Sequence, residues 1–391
     1  MSTCKSWLKY SWEGRHCEDD SWEADPEGLC ILHSLKTEKD SLLFEKTLKD
    51  KLARQDFDFR EVFFPGPVSF AQQHFKEAAN FQRAHFAGWA DFHEAEFAAP
   101  ADFSYAKFSQ AADFNKTKFD GPVQFVRTEI LGEADFRGSV FNKVGLFQQV
   151  NGSSPTPFEV LFQEVKFGPG GRLIFQDQSL ERARFLGTDV RRLQFDNVRW
   201  PVLHGRQIIF DEMLLHRKEG PHLFSLSSRP EYGFRYEDIC AGLEKLYRYL
   251  KLNYEQEGDL KQAGDFHYGE LEMHRRANPW RRRFPLSWYN MYWALSGYGE
   301  RPLRALAWLL GLLCGMGLLM SSLGLENASG ERVGFGSSLI FLLEQATLLR
   351  PAWAAPATAG AHVVSAVSRI MLPAQAALFI LALRNRLGRR R

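Results

Sequence analysis

The chain has 391 residues, a formal net charge of +2 and 25% charged side chains, and 33 of its residues are Phe. That length predicts two or three domains, and the near-balance of charge argues against a nucleic-acid binder. Residues 56–150 carry 13 Asp and Glu against 9 Lys and Arg, residues 151–210 carry 6 against 8, and arginine then gathers toward the C-terminus.

The N-terminal 1–35 segment holds three of the five cysteines, Cys4, Cys17 and Cys30, with His33 completing a C-x12-C-x12-C-x2-H pattern. Trp7, Trp12 and Trp22 accompany them with little aliphatic core, so the segment needs a staple. Three thiolates and an imidazole are a legitimate tetrahedral zinc set. The long, even spacings differ from the usual fingers, which keeps open reduced buried thiols and, further off, a catalytic thiol. Disulfides are disfavoured in a reducing cytoplasm. Residues 36–55 read as a helix that caps the first coil of a repeat tract.

In that tract Phe64, Phe70, Phe75, Phe81, Phe86, Phe92, Phe97, Phe103, Phe108, Phe114, Phe119 and Phe125 are spaced alternately by six and five residues. Neither one helix nor one strand keeps such a series on one face. A chain that turns a corner every unit does. Small residues such as Ala79, Ala84, Ala90 and Ala95 stand two places before most of the rings, so each unit offers one large and one small inward position. Stacked units of this kind make a solenoid, predicted here over 56–210. From Phe175 to Trp200 the period tightens to five, and residues 151–157 read as a loop between the two tracts.

The repeated Ala-Asp-Phe at 90–92, 101–103, 112–114 and 134–136 resembles the bacterial pentapeptide-repeat proteins. The resemblance implies a right-handed quadrilateral β-helix. The extra residue in alternate units predicts a bulged corner and a coil of about 22 residues rather than 20. Some members of that family mimic DNA, but the acidic field this requires is absent here. The resemblance carries fold and no chemistry.

After a linker at 211–234, residues 235–277 show the periodicity of two antiparallel helices broken at Gly258-Asp259, similar to tetratricopeptide-type units and to helices that follow the repeats in membrane-bound pentapeptide-repeat proteins. His267, Glu270 and His274 share a face there, but one helix supplies too few metal ligands, and a packed polar face is the better reading. Residues 278–302 mix Arg281, Arg282 and Arg283 with Trp288 and Trp293, a composition suited to the headgroups of an anionic inner leaflet.

Residues 303–391 read as an α-helical membrane domain. Positions 305–325 carry no charge, enough to cross a hydrocarbon core of about 30 Å. A second span is predicted at 362–383 with Arg369 inside it, the alternative being a helix lying on the surface. Segment 334–349, interrupted by Glu344 and Gln345, reads as a re-entrant or interfacial helix, because two crossings leave both arginine clusters in the cytoplasm. The order resembles the two-helix pore-loop channels, although Leu-Arg-Pro-Ala-Trp at 349–353 stands where those place a glycine-rich filter. Glu344 and Arg369 are expected to pair, either pinning the segment or lining a pore in a homo-oligomer.

No catalytic motif emerges, so the chain reads as a non-enzyme. Two functions are compatible with this organisation. One is a multi-pass protein of the bacterial inner membrane, both termini cytoplasmic, that presents its β-helix to a cytoplasmic protein partner. The other is a channel-like oligomer gated by the β-helix.

Overall fold

The computed structural model describes residues 4, 17, 19–150, 159–216, 235–278, 284, 287–347 and 351–388. The chain divides into two units, Met1–Asn253 and Tyr254–Arg391.

The first unit is built around the β-solenoid. In the unit Ala101–Phe103, Ala101 and Phe103 are buried while Asp102 points outward and accepts the Ser104 N–H at 2.8 Å, opening the corner. The Phe103 carbonyl then accepts the N–H of Ala106 at 3.1 Å across Tyr105, whose φ of 60° makes a type II turn. The same positive φ recurs every eleven residues at Gln72, Arg83, Glu94, Tyr105, Lys116 and Arg127. Ala-Asp-Phe thus encodes inward small, outward corner cap and inward large.

Four parallel sheets form the faces of about six turns spanning 63–196. Their register confirms the predicted period: Phe64 pairs with Phe86, Phe75 with Phe97 and Phe119 with Phe141, each 22 residues on. Four ring ladders fill the interior. Phe81, Phe103 and Phe125 stack at 4.8 and 4.9 Å with nearly parallel planes, and neighbouring ladders meet edge to face, as Phe92 does Phe103 at 5.5 Å. Each such contact adds about 0.5–1.5 kcal/mol to the burial of the ring.

The extra residue occupies two opposite corners of each coil, not one, because both six-residue steps fall within a single turn. Backbone stacks on backbone there: a Cβ on Gly88 would lie 2.3 Å from the nitrogen of Pro67. The coil containing 151–158 is longer, pairing Val144 with Arg172, and the next contracts to 20 residues, pairing Leu173 with Leu193. The predicted loop at 151–157 lies outside the described residues.

Helices close both ends, as edge strands require. At the N-terminal end α1 (Ser41–Ala53), capped by the Asp40 side chain on the Leu43 N–H, sets Phe44 edge-on to Phe64. At the other end lie α2 (Phe210–Leu215) and residues 236–253 of α3 (Tyr236–Glu257), with Asn253 donating to the carbonyls of Val190 and Leu193. Helix α2 occupies the start of the stretch that reads as a linker in sequence. Its two acids are fully buried, and Asp211 accepts the N–H groups of Phe185 and Leu186.

The second unit is helical. Gly258, at φ 80°, and Asp259, which caps Gln262, turn α3 into α4 (Leu260–Ala277) as a hairpin, with Tyr254 packed on Phe266. Then come α5 (Trp288–Ser296), α6 (Pro302–Leu323), α7 (Phe335–Ala346) and α8 (Ala359–Gly388). Helices α6 and α8 are long and apolar enough to cross a membrane, and only 11% and 22% of their most apolar stretches are buried. An antiparallel ribbon, Leu325–Asn327 against Ala354–Pro356, joins the end of α6 to the start of α8. Helix α7 is inserted between them, its Phe341 and Leu342 in a core with Met320 and Leu372.

Candidate metal centre

The turn from Cys30 to His33 brings the last two ligand candidates together. The Ser34 N–H bonds the Cys30 carbonyl at 2.9 Å, with Ile31 and Leu32 buried beneath. Cys30 Sγ and His33 Nδ1 are 3.0 Å apart. Cys17 Sγ lies 3.7 Å from Cys30 Sγ, and Cys4 Sγ lies 4.0 Å from His33 Nδ1. All four ligand atoms fall within 4.8 Å of one another.

These separations exclude a disulfide and bring the four ligand atoms into the range a metal ion spans. Sulfurs 3.7 Å apart are not bonded, and the three cysteines are free. Two Zn–S bonds of about 2.3 Å at a tetrahedral angle put their sulfurs about 3.8 Å apart. Cys4, Cys17, Cys30 and His33 therefore form a cluster that can hold a metal ion such as zinc.

The surroundings suit a cation. The carbonyl of Arg60 can only accept, so at 3.0 Å it places a proton on His33 Nε2 and turns Nδ1 toward the thiols. The Cys30 N–H points at Cys4 Sγ from 3.0 Å, a bond that favours thiolate. Burial works against a charged His33, yet hydrogen bonds to Cys30 and Cys4 push it up to about 10. Hydrogen bonds from Cys17 and Cys30 likewise drive the Cys4 thiol far down.

The other candidates lie elsewhere in the fold. The helix-face trio is a packed polar face: His267 sits 3.5 Å from Glu270, and His274 lies against the Tyr289 ring. Trp288 is exposed on α5, whereas Trp293 is held between Arg275 and Arg304, at 4.8 and 5.3 Å, and donates to Tyr268. Arg281, Arg282 and Arg283 lie outside the described residues. The expected Glu344–Arg369 pair is not formed. Glu344 accepts the Trp353 indole N–H at 2.8 Å, nine residues on, while Arg369 is exposed. Gln345, nearly fully buried, bonds Ser365 and Ser368 of α8 instead. The likeness to pore-loop channels finds no support in these contacts.

Residues 59–107 and 103–150 match the family model of pentapeptide repeats (9 copies). The solenoid is a pentapeptide-repeat β-helix. No curated protein matches the chain, and no solved structure does. The pentapeptide-repeat tract begins at Phe59, next to the Arg60 carbonyl that orients His33, so the Cys3His cluster is built onto its first coil.

One site escaped the sequence reading. Glu212 of α2 accepts from Arg206 at 2.6 Å and from the buried hydroxyl of Tyr247, which itself accepts the Ile209 N–H at 3.1 Å. The acidic pair after Ile208-Ile209-Phe210 was the available signal, since acids inside an apolar run need partners.

Proposed function

We propose that the chain is a non-enzymatic, membrane-tethered scaffold or sensor that presents its pentapeptide-repeat β-helix to a cytoplasmic protein partner. The observation that carries this is the apolar surface of the second unit. Leu303, Leu310, Leu318 and Leu319 of α6 and Val363, Ile370 and Ile380 of α8 are all more than half exposed, far more than a water-soluble helix pair leaves uncovered. Lipid is the solvent that suits them. Arginines at both ends of this region favour a cytoplasmic location for each. Structural zinc at Cys4, Cys17, Cys30 and His33 would then staple the N-terminal cap over the first coil, which has little aliphatic core of its own.

The test is extraction of the full-length protein from bacterial membranes. Retention in the pellet after carbonate at high pH, and release only by detergent, is expected. Release by carbonate alone overturns the tether.

A further inference from the structure

Where the pentapeptide ladder changes pitch it opens a cleft of about 470 Å³. In two earlier coils this corner takes six residues, Phe119 to Phe125 and Phe141 to Phe147. In the next coil Phe167 and Phe175 are eight apart, and in the last Val190 and Phe195 only five. The long corner, Gly168-Pro169-Gly170-Gly171, therefore stands over a short one. Gly171 packs so closely that a Cβ would lie 1.9 Å from the Phe141 carbonyl oxygen, leaving bare backbone at the rim.

Arg172, Arg191 and Arg192 line this cleft. Leu173 and Leu193 are register partners, and Arg172 and Arg192, each one residue earlier on adjacent coils, are both exposed at the cleft. Of the three, Arg191 has its charge answered, by both oxygens of Asp189 at 2.8 Å. Among the described residues no carboxylate forms a salt bridge with Arg172 or Arg192 and none lines the cleft, although Asp189 also feels the charge of Arg192. Some rungs of this solenoid pair opposite charges, as Glu96 and Lys118 do at 2.6 Å, and others stack like ones, as Asp91, Asp113 and Asp135 do. Two guanidinium groups lining one cleft repel each other, and a bound anion offsets that repulsion.

We propose that this cleft binds a phosphate-bearing ligand, the Arg172 and Arg192 guanidinium forks each offering paired N–H donors to phosphoryl oxygens. Guanidinium matches phosphate geometry better than ammonium does, and the volume lies in the range of small-molecule sites. The ligand is either a free phosphorylated compound or a phosphomonoester lipid headgroup.

Calorimetric titration of the full chain in detergent micelles tests this, with pyrophosphate and short-chain phosphatidic acid as probes, against the Arg172→Ala/Arg192→Ala variant. Both side chains are exposed, so an unchanged melting temperature is expected of the variant and is checked first. Saturable binding of at least one probe, weakened about tenfold or more in the variant, supports the site. Preference for pyrophosphate assigns a free ligand, and preference for phosphatidic acid a headgroup. Absence of saturable binding by both probes, or binding that survives the double substitution, overturns it.

Discussion

The hydroxyl of Tyr247, on α3, donates to the carboxylate of Glu212, on α2, 35 residues earlier. Both side chains are essentially inaccessible, and Arg206 closes the other carboxylate oxygen. One ionised group thus locks the C-terminal cover of the solenoid.

Acid should open that lock. Burial alone would raise Glu212, but His216, Arg206 and Tyr247 pull it down to about 2 from 4.5. A depressed carboxylate adds stability above its unfolded value, lost as pH falls through the folded one, so the window is pH 4.5 to 2 and the loss roughly 3 kcal/mol. Buried Asp211, raised by desolvation to about 6 from 3.8, acts oppositely, gaining stability as pH falls from 6 to 3.8. Urea unfolding across this range should show the acid limb flattened in Glu212→Gln, which is also weaker at neutral pH because buried Arg206 loses the opposite charge of Glu212. Parallel limbs in the two proteins would mean that Glu212 does not govern the acid response.

Removing one ring should cost more than any surface change. Phe103 is fully buried, stacked on Phe81 and Phe125 and edge-on to Phe92 and Phe114. Phe103→Ala is expected to destabilise by about 3–5 kcal/mol, and Phe103→Leu by distinctly less, in denaturant unfolding. Equal effects for the two would mean that stacked rings are not what fills the coil.

Metal content tests the N-terminal cluster. Purified protein should carry about one zinc per chain by elemental analysis, and His33→Ala or Cys30→Ser should lose it. Chelation should expose the cap to proteolysis ahead of the coils, since the binding energy acts on the segment it staples. Unaltered zinc in both variants rules out this ligand set.

The proposed tether should be sensitive to charge on the exposed face of α6. A Leu310→Lys/Leu318→Lys chain carries about 5–7 kcal/mol of added insertion cost if both sites reach the middle of a bilayer. Membrane fractionation should find it largely in the soluble or aggregated pool. Undiminished insertion of the double variant would argue that α6 does not cross.

Much of the solenoid was readable because its rule is local. Most inward sites hold Phe or a small residue, with Ile130, Leu173 and Leu193 among the aliphatic replacements, and each Asp before a solenoid Phe caps its own corner, as Asp102 does for Ser104. The zinc-type ligands were readable as chemistry, but their convergence was not. It depends on the turn at Cys30–His33 and on a carbonyl at Arg60, neither of which spacing reveals. The Glu344–Arg369 expectation failed for the complementary reason. Opposite charge in a short sequence window says nothing about which faces of two helices meet, and Trp353 was the nearer donor.

From its residues alone the chain settles the coiled architecture, the 22-residue period and the presence of two long apolar helices, because these arise from repeated local preferences and from length. Only folding in three dimensions brings Glu212 to Tyr247, Cys4 to His33 and Arg172 beside Arg192. Those pairings join positions 20 to 35 residues apart, and they arise from a proximity that no single stretch of sequence contains.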